Sequence, residues 1–574
     1  MVVNQCRAGR IAMHVLAGLA LAAALVGCGG GGGGSGAGAG PQGAEPLPPA
    51  VPTSLADASR LADQASFGAT ENLLDEVMAA GPQRWIALQF AADASRYQRG
   101  GNDAIHAFDG TDYCAEVDVG PNCWRDWVSN RPLVWDFFRN AVNNPDQLRQ
   151  RVALALSQIL VVSQLEVDGT YGLRNYQNAF LENAFGNYRT VLKKVAMSPV
   201  MGDYLNNANN SKTAPNENFA RELLQLFAIG TCELEADGRL KGGKCQPTYD
   251  NARVREYAYA LTGWTYPPGG RLAWCTPRNG TNCRYYGGDM VPRPGAHEEK
   301  ALTLLGGVSL PAGHSAPAAL EGVVDSLMSH PNIGPFVGRQ LIQHLVTSNP
   351  SPAYVARVAA AFNTGRHAQF GTGTKGDLRA TVAAILLDAE ARTSPPAASA
   401  GRLREPVQFA TGVLRGLNGQ TDGDPFTWWW GDAMGQHLFR SPSVFNFYPP
   451  DYPVAGTALQ GPQFGILNAN TGLARINFVN YMVNWGGSQP IAGVPDAMAT
   501  KVNLQAFVAD AADPAKLVDR MVRLGLGGRI SPASRQAIID AVSAWTPAST
   551  DYLTYRAKTA AYLVFASPHY QIAR

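Results

Sequence analysis

Closely spaced polar residues open one short segment of this chain and are its first candidates for chemistry. The segment "PNENFARELLQLFAIG" brings two carboxylates next to an arginine, a set that could perform acid–base chemistry or hold a charged group. A simpler role is also open, because an acid four residues before an arginine forms an ion pair along a helix. The polar residues are Asn216, Glu217, Asn218, Arg221 and Glu222.

The pattern predicts that a helix positions these residues. Thr213 could cap it, Pro215 suits its first turn, and Gly230 suits its end. On a period of 3.6 residues the apolar side chains share one face and the polar side chains share the opposite face. The apolar face consists of Phe219, Leu223, Leu226 and Phe227.

Histidines and aromatic residues give further candidates. His297 precedes Glu298 in a loop and could act as an acid–base group or metal ligand, although a lone loop histidine often does neither. We expect His344 to be a buried, hydrogen-bonded histidine. The segment "FTWWWGD" and the aromatic residues between Phe439 and Tyr452 could stack on sugar rings or pack in the core.

Helical periodicity continues along most of the chain, while alternation of period two is scarce. We therefore predict a mainly α fold: one large multi-helical domain with long, disulfide-stapled loop insertions and at most small β-hairpins. The length of 574 residues would also allow about three domains. The insertions span residues 98–126, 231–248 and 266–300, and long loops of this kind are often lids or binding surfaces.

The N-terminal residues resemble a lipoprotein leader. Arg7 and Arg10 precede the apolar stretch "IAMHVLAGLALAAALVG", and "LVGC" would be cleaved to leave Cys28 as a lipidated first residue. An uncleaved anchor helix is the alternative. This leader predicts export and lipid anchoring. Because Gly29 rather than Asp follows Cys28, the predicted destination in a Gram-negative cell is the outer membrane. The resulting divisions are a signal peptide at 1–27, a Gly/Pro-rich tether at 28–53 and a helical domain at 54–574.

The charge balance argues against nucleic acid as a partner. Apolar residues make up 46% of the chain and charged residues only 16%. Removing residues 1–27 takes away two arginines and no acid, which leaves equal numbers of basic and acidic residues. A nucleic-acid-binding domain normally carries a clear basic excess.

Six cysteines remain after Cys6 and Cys28 are set aside, and they fall into three pairs of sequence neighbours. In an oxidising compartment local pairing is the economical arrangement. A metal site is the alternative, but no C-x-x-C pair occurs. The predicted disulfides join Cys114 to Cys123, Cys232 to Cys245 and Cys275 to Cys283.

Several segments in order resemble the bacterial domain-of-unknown-function 1800 family. "NENFARELLQLFAIG" is similar to the family pattern N-E-N-x-A-R-E-L-x-x-L-F-x-x-G. The resemblance covers about residues 54 to 574. It extends through "RLADQASFGAT", "VREYAYALTGW", "HEEKALTLLGG", "HPNIGPFVGRQLIQHLV", "LREPVQF", "MGQHLFRSPSVFNF" and "FASPHYQ".

The resemblance implies an exported protein and strengthens the candidate site. Members are often encoded beside a domain-of-unknown-function 1501 protein, which is therefore an expected partner, with the membrane as a second partner through Cys28. We take Glu217, Arg221, Glu222 and His297 as candidate catalytic residues; a buried polar network is their alternative role. The candidate binding residues are Asn216, Asn218, Trp264, Arg404 and Glu405.

The sequence thus predicts an exported lipoprotein that acts on or binds an extracytoplasmic partner through a cleft near the NENFARE helix. The alternative is a non-catalytic envelope scaffold, or a lipoprotein that binds polysaccharide or protein. The chain contains no G-x-S-x-G, H-E-x-x-H or Walker motif, so enzymatic activity, cofactor and metal all stay open.

Overall fold

Helices dominate the structure, as the periodicity predicts. The computed structural model describes residues 46–98, 114, 123–269, 280–393, 396–494 and 496–574. The first two helices are α1 (Leu55–Ala65) and α2 (Glu71–Ala80), and the hydroxyl of Thr70 caps α2 by accepting from the Leu73 amide at 3.1 Å. The next helices are α3 (Pro82–Ala91), α4 (Arg131–Asn143), α5 (Gln147–Ile159), α6 (Thr170–Asn183), α7 (Tyr188–Met197) and α8 (Pro199–Tyr204).

The NENFARE helix is shorter than predicted and changes its winding. Helix α9 covers only Asn218–Glu222 and continues directly as a π-helix over Leu223–Ala228. Its start is late because the side chain of Asn210 holds the backbone of Asn216, accepting from its amide at 2.8 Å and donating to its carbonyl at 3.2 Å. Gly230 ends the segment as predicted, with φ of 73°.

The C-terminal half is a series of helices packed in sequence. Helix α12 lies between α5 and α13 and also contacts the π-helix, so it is central to the site below. The helices are α10 (Asn251–Ala260), α11 (Ala316–Ser329), α12 (Ile333–Leu345), α13 (Pro352–Thr364), α14 (Leu378–Leu387), α15 (Ala389–Arg392), α16 (Pro406–Gly416), α17 (Trp430–Ala433), α18 (Ala469–Val483), α19 (Gln505–Val508), α20 (Pro514–Leu526), α21 (Pro532–Ser543), α22 (Tyr552–Phe565) and α23 (Pro568–Gln571).

Short helical turns and two-residue strands complete the described structure. All three strand pairs are antiparallel: β1 (Trp264–Thr265) with β2 (Val291–Pro292), β3 (Leu302–Thr303) with β4 (Ser309–Leu310), and β5 (Arg402–Leu403) with β6 (Ile572–Ala573). The short turns are a second π-helix at Trp124–Val128 and 3₁₀ turns at Lys241–Gly243, Pro294–Ala296, Leu305–Gly307, Asp424–Phe426 and Pro462–Ile466.

One hydrophobic core connects these elements. It runs from Ala58 in α1 to Tyr570 in α23, and residues Leu47–Arg574 form a single compact unit. The predicted mainly α, single-domain fold with only small hairpins is confirmed. Within the described residues, no helix has the length and apolar character needed to cross a bilayer.

Two of the predicted disulfides are confirmed. Cys114 and Cys123 are joined with their Cα atoms 5.6 Å apart, and Cys232 and Cys245 are joined with theirs 5.0 Å apart. Cys283 is disulfide-bonded, whereas its predicted partner Cys275 lies outside the described residues. The local pairing expected from sequence proximity therefore holds at both described pairs.

Candidate functional site

The two candidate binding asparagines of the NENFARE segment belong to a network of amides. The Asn216 side chain accepts from the Asn218 amide at 2.9 Å, and the Asn218 side chain donates to Asn206 at 2.8 Å. Together with Asn210, these contacts fix the loop that leads into α9. Asn216 and Asn218 thus position the start of the helix.

The three charged residues of the same segment differ in their surroundings. Glu217 and Arg221 form an ion pair at 3.0 Å, and because both side chains are more than a third exposed, the pair contributes only a few tenths of a kcal/mol. Glu222 has a buried Oε2 without a hydrogen-bond partner, and burial raises its pKa despite the nearby charge of Arg221. The buried hydroxyl of Tyr249, also unpartnered, lies within electrostatic reach of Glu222.

His297 is buried in a separate polar contact. Its Nδ1 lies 2.8 Å from the Thr262 carbonyl and its Nε2 lies 3.0 Å from Nδ1 of His314, whose Nε2 lies 3.0 Å from the Lys300 carbonyl. In the described part of the chain, no hydrogen bond or ion pair joins His297 to Glu217, Arg221 or Glu222.

Trp264 and Arg404 make their contacts within the fold. Trp264 is buried in β1, where its carbonyl accepts from the Asn209 amide at 2.8 Å. Arg404 does bind a carboxylate, but that carboxylate is Asp63 of α1, at 2.6 Å. Its guanidinium also donates to the Tyr570 carbonyl, which ties α1 to the C-terminal segment.

Glu405 lies under a cleft that forms the principal candidate site. Its Oε2 accepts from Gln158 at 2.7 Å, from Gln436 at 2.6 Å and from the hydroxyl of Tyr448 at 3.0 Å. Gln158 and Tyr448 both line the cleft above it. Glu405 therefore holds two walls of the cleft together.

The cleft has a volume of about 420 Å³, which is within the range of small-ligand sites. Its walls come from the end of α5, the π-helix, the disulfide-stapled loop 231–248, α12 and the segment 444–463. Polar and aromatic side chains alternate around it. They include Gln225, Phe336, Arg339, Gln340, Gln343, His344, Phe445, Asn446, Tyr448, Gln460 and Gln463.

The polar groups of the cleft are partly engaged. Arg339 donates to Gln460 at 2.8 Å, and Gln343 donates to the Pro450 carbonyl at 3.2 Å. Asn446 and Gln463 are more than nine-tenths buried, yet Nδ2 of Asn446 and Oε1 of Gln463 have no hydrogen-bond partner. Unpaired polar atoms at a cleft wall are groups that a ligand or water can satisfy.

His344 also lines the cleft, as a neutral group. Burial lowers its pKa to about 4, and the positive charges of Arg402 and Arg151 act in the same direction, against Glu405. At neutral pH its ring therefore stays uncharged and can donate and accept one hydrogen bond each. A base of such low pKa is a poor proton acceptor for catalysis.

The NENFARE segment reaches the cleft through its second half. The π-helix directs Gln225 and Leu226 into the wall, and Glu222 lies one turn before them. Such π segments occur frequently at functional sites. A cleft near this helix is what the sequence predicts, and the residues of the segment that line it are Gln225 and Leu226.

One pattern in the sequence could have predicted the main wall of the cleft. In "GPFVGRQLIQHLV", four polar residues recur on one side of a largely buried helix, a spacing that indicates a polar face inside the protein. They are Arg339, Gln340, Gln343 and His344, which the cleft brings together.

Exposed aromatic residues lie both inside and outside the cleft. Phe445 lines it with 47% of its surface exposed. Of the three consecutive tryptophans, Trp430 is buried, while Trp428 and Trp429 stack on each other and do not line the cleft. In the described residues no three His, Cys, Asp or Glu side chains converge as metal ligands.

Comparison with known proteins gives one match. The model of a family described as "Protein of unknown function (DUF1800)" matches residues 60–572. No curated protein and no solved structure matches the chain. Because the family model spans nearly all of the chain, as the quoted motifs indicate, this protein belongs to the DUF1800 family.

Proposed function

We propose that this protein is an exported, lipid-anchored binding protein that holds an extracytoplasmic ligand in the cleft between the π-helix and α12. One observation carries the proposal: segments that resemble the family, though far apart in sequence, converge on this cleft. The NENFARE segment supplies Gln225, the segment "GPFVGRQLIQHLV" supplies Arg339 and His344, and "SPSVFNF" supplies Phe445.

A glycan is the ligand class that suits the lining best. Sugar rings have an apolar C–H face, for which the exposed ring of Phe445 is a platform, and hydroxyls that both donate and accept. Amides also donate and accept, and the unpaired atoms of Asn446 and Gln463 offer one of each. These features favour binding of a polar, extended ligand over acid–base catalysis.

The test is calorimetric titration of the full-length protein in detergent with a panel of bacterial polysaccharide fragments. We expect Phe445→Ala to weaken binding about tenfold or more, since a truncated anchor costs over 1 kcal/mol. Trp485→Ala is the matched control, because this tryptophan is exposed and does not line the cleft. Equal affinity of Phe445→Ala and wild type, or no binding across the panel, would exclude glycan binding in the cleft.

Lipid anchoring is tested separately. Labelled palmitate should enter the wild-type protein, and Cys28→Ala should abolish incorporation and release the protein from the membrane fraction. A wild-type protein without label would contradict the anchor. Cys28 lies outside the described residues, so the support for the anchor is the leader sequence.

An enzyme is the second candidate function, and Glu222 is the observation that favours it. A half-buried carboxyl group with a raised pKa, next to a cleft, suits a general acid. In that case Glu222→Gln would abolish turnover of bound fragments while leaving their affinity unchanged. Cleavage by wild type and by Glu222→Gln at equal rates would exclude this role.

A protein of the domain-of-unknown-function 1501 family is a further proposed partner. Its support is the family membership of this chain, since such proteins are often encoded together. If the protein acts as a scaffold, co-expression should yield a complex that survives gel filtration. Independent elution of the two proteins at micromolar concentration would contradict the scaffold.

A further inference from the structure

Behind the cleft wall, three buried arginines surround one carboxylate. Arg151 and Arg475 are each 1% exposed, Arg402 is 3% exposed, and all three interact electrostatically with Glu405. We call these three residues the arginine cluster. Glu405 cannot neutralise them, because it carries a single negative charge. A second carboxylate, Asp63, also acts on Arg151 and Arg402, but it is bound by Arg404 at 2.6 Å.

The hydrogen bonds of Arg151 and Arg475 go to neutral acceptors and do not balance this positive charge. Arg151 donates to the His344 carbonyl at 3.1 Å, and Arg475 donates to the Arg404 carbonyl at 2.7 Å and to Gln571 at 3.0 Å. Oε2 of Glu405 is taken by Gln158, Gln436 and Tyr448, and Oε1 lies 4.0 Å from Nη1 of Arg151. The three guanidinium groups therefore lack a carboxylate that binds them closely.

Arg402 has the fewest hydrogen-bond partners of the three arginines. None of its three guanidinium nitrogens has a hydrogen-bond partner, and the same holds for Nε and Nη2 of Arg475 and for Nε of Arg151. An unpaired buried charge costs several kcal/mol. Arg404, two residues away on the chain, shows the contrast: it is equally buried and binds both Asp63 and the Tyr570 carbonyl.

The three arginines do not line the cleft themselves, but Tyr448 connects them to it. Tyr448, which lines the cleft, is within electrostatic reach of all three arginines. Strand β5, which contains Arg402, packs against the 3₁₀ turn Pro462–Ile466, which supplies Gln463 to the wall. A group that enters the cleft beside Tyr448 therefore approaches unpaired guanidinium donors.

We propose that the arginine cluster binds an oxyanion, a carboxylate, phosphate or sulfate group, so that the ligand of the cleft is an acidic glycan. This inference rests on the proposed function for the glycan part, while the oxyanion site stands on the arginines alone. Guanidinium groups present paired N–H donors that match the oxygens of such anions. A bound anion would satisfy the unpaired donors and balance the charge at once.

The ionisation of the arginines agrees with an anion site. Burial lowers the pKa of Arg151 to about 9, with repulsion from Arg402 as a further cause, and burial lowers the pKa of Arg475 to about 10. Both groups are still charged at neutral pH. A neighbouring anion would raise both pKa values again.

The test is a titration of full-length protein in detergent with sulfate, phosphate and acetate, each against sodium chloride of equal ionic strength. We expect a saturable rise in melting temperature with at least one of these anions, and the preferred anion identifies the ligand's acidic group. Arg402→Gln should lose this response, because its affinity for the anion should be at least about tenfold weaker. Arg535→Gln is the control, because Arg535 pairs with Asp519 at the surface.

Stability without added anion gives a second readout. Because an unpaired buried charge is destabilising, its removal should not lower the free energy of unfolding. Arg402→Gln should therefore be at least as stable as wild type in low salt, and less stable than wild type only when anion is present. No saturable response in wild type, or an unchanged response in Arg402→Gln, would overturn the proposal.

If Arg402→Gln does not fold, crystals of wild type soaked in selenate decide the question. An anomalous peak within hydrogen-bond distance of Arg402 supports the site, and its absence there overturns it. The outcome is also separable from that of the glycan titration. Anion binding with no glycan binding refutes only the proposed function, whereas glycan binding without anion dependence refutes only this inference.

Discussion

At the scale of single residues, the contact between His297 and His314 sets the number of protons that the two rings hold. The Thr262 carbonyl accepts from Nδ1 of His297, and the Lys300 carbonyl accepts from Nε2 of His314. Both of these ring nitrogens therefore carry protons. The inner contact at 3.0 Å needs one more proton. Burial lowers the pKa of His297, and the two rings depend on each other for this contact.

Removing His314 should destabilise the protein. His314→Ala leaves Nε2 of the buried His297 without its hydrogen-bond partner, which we expect to lower the free energy of unfolding by about 1–3 kcal/mol. Urea denaturation measures this, with the exposed His569→Ala as a control that should stay within about 0.5 kcal/mol of wild type. A His314→Ala protein as stable as the control would refute the coupling of the two rings.

His344 gives a pH dependence with a defined sign. Its folded-state pKa of about 4 lies below the unfolded value of 6.5, so the unfolded state binds more protons between these values. The stability that neutral His344 contributes to the fold is complete above about pH 6.5 and is lost as the pH falls towards 4.

His344→Gln should remove this dependence. From about pH 7 to about pH 4, wild type should lose up to about 3 kcal/mol more unfolding free energy than the variant, by 1.36 kcal/mol for each pKa unit. Denaturant titrations of both proteins at each pH measure the difference. Parallel stability curves would show that His344 is not buried as described.

At the scale of elements, the end of the π-helix depends on Gly230. Its φ is 73°, and a Cβ there would lie 2.8 Å from the ring of Phe336 in the cleft wall. Gly230→Ala should therefore cost about 1 kcal/mol for the backbone and about 1–3 kcal/mol more for the clash.

Gly243 is the matched control for this prediction. It has φ of 77° and nothing within 4 Å of an added Cβ, so Gly243→Ala should show the backbone cost alone. Thermal or urea unfolding measures both variants. If both substitutions lower the free energy of unfolding equally, a side chain at residue 230 does not clash with Phe336.

The elements also show how far sequence alone could go. Helical faces, the Thr70 cap and the Gly230 stop are local features, and periodicity and capping rules predict them. The late start of α9 depends on Asn210, whose side chain replaces helical bonds at Asn216. The unpaired state of Arg402 could not be predicted, because β5 pairs with β6 at the far end of the sequence.

At the scale of the whole molecule, the Cys232–Cys245 disulfide connects the fold to the cleft. It closes the loop 231–248, from which Thr231, Leu234 and Leu240 line the cleft. Replacing both cysteines by alanine should cost about 2–3 kcal/mol at a loop of this length and loosen one cleft wall. Hydrogen exchange should then accelerate in residues 231–248 before it does in α12; unchanged exchange in that loop would contradict the assignment.

The most direct test of the account is hydrogen exchange of the full-length protein with and without the tightest-binding oligosaccharide. The central claim is that the cleft holds the ligand, so protection should be confined to the cleft walls: the end of α5, the π-helix Leu223–Ala228, the loop 231–248, α12 and residues 444–463. Protection around Trp428, Trp429 and Trp485 instead, with none at the cleft, would contradict the claim and move the site to the exposed aromatic surface.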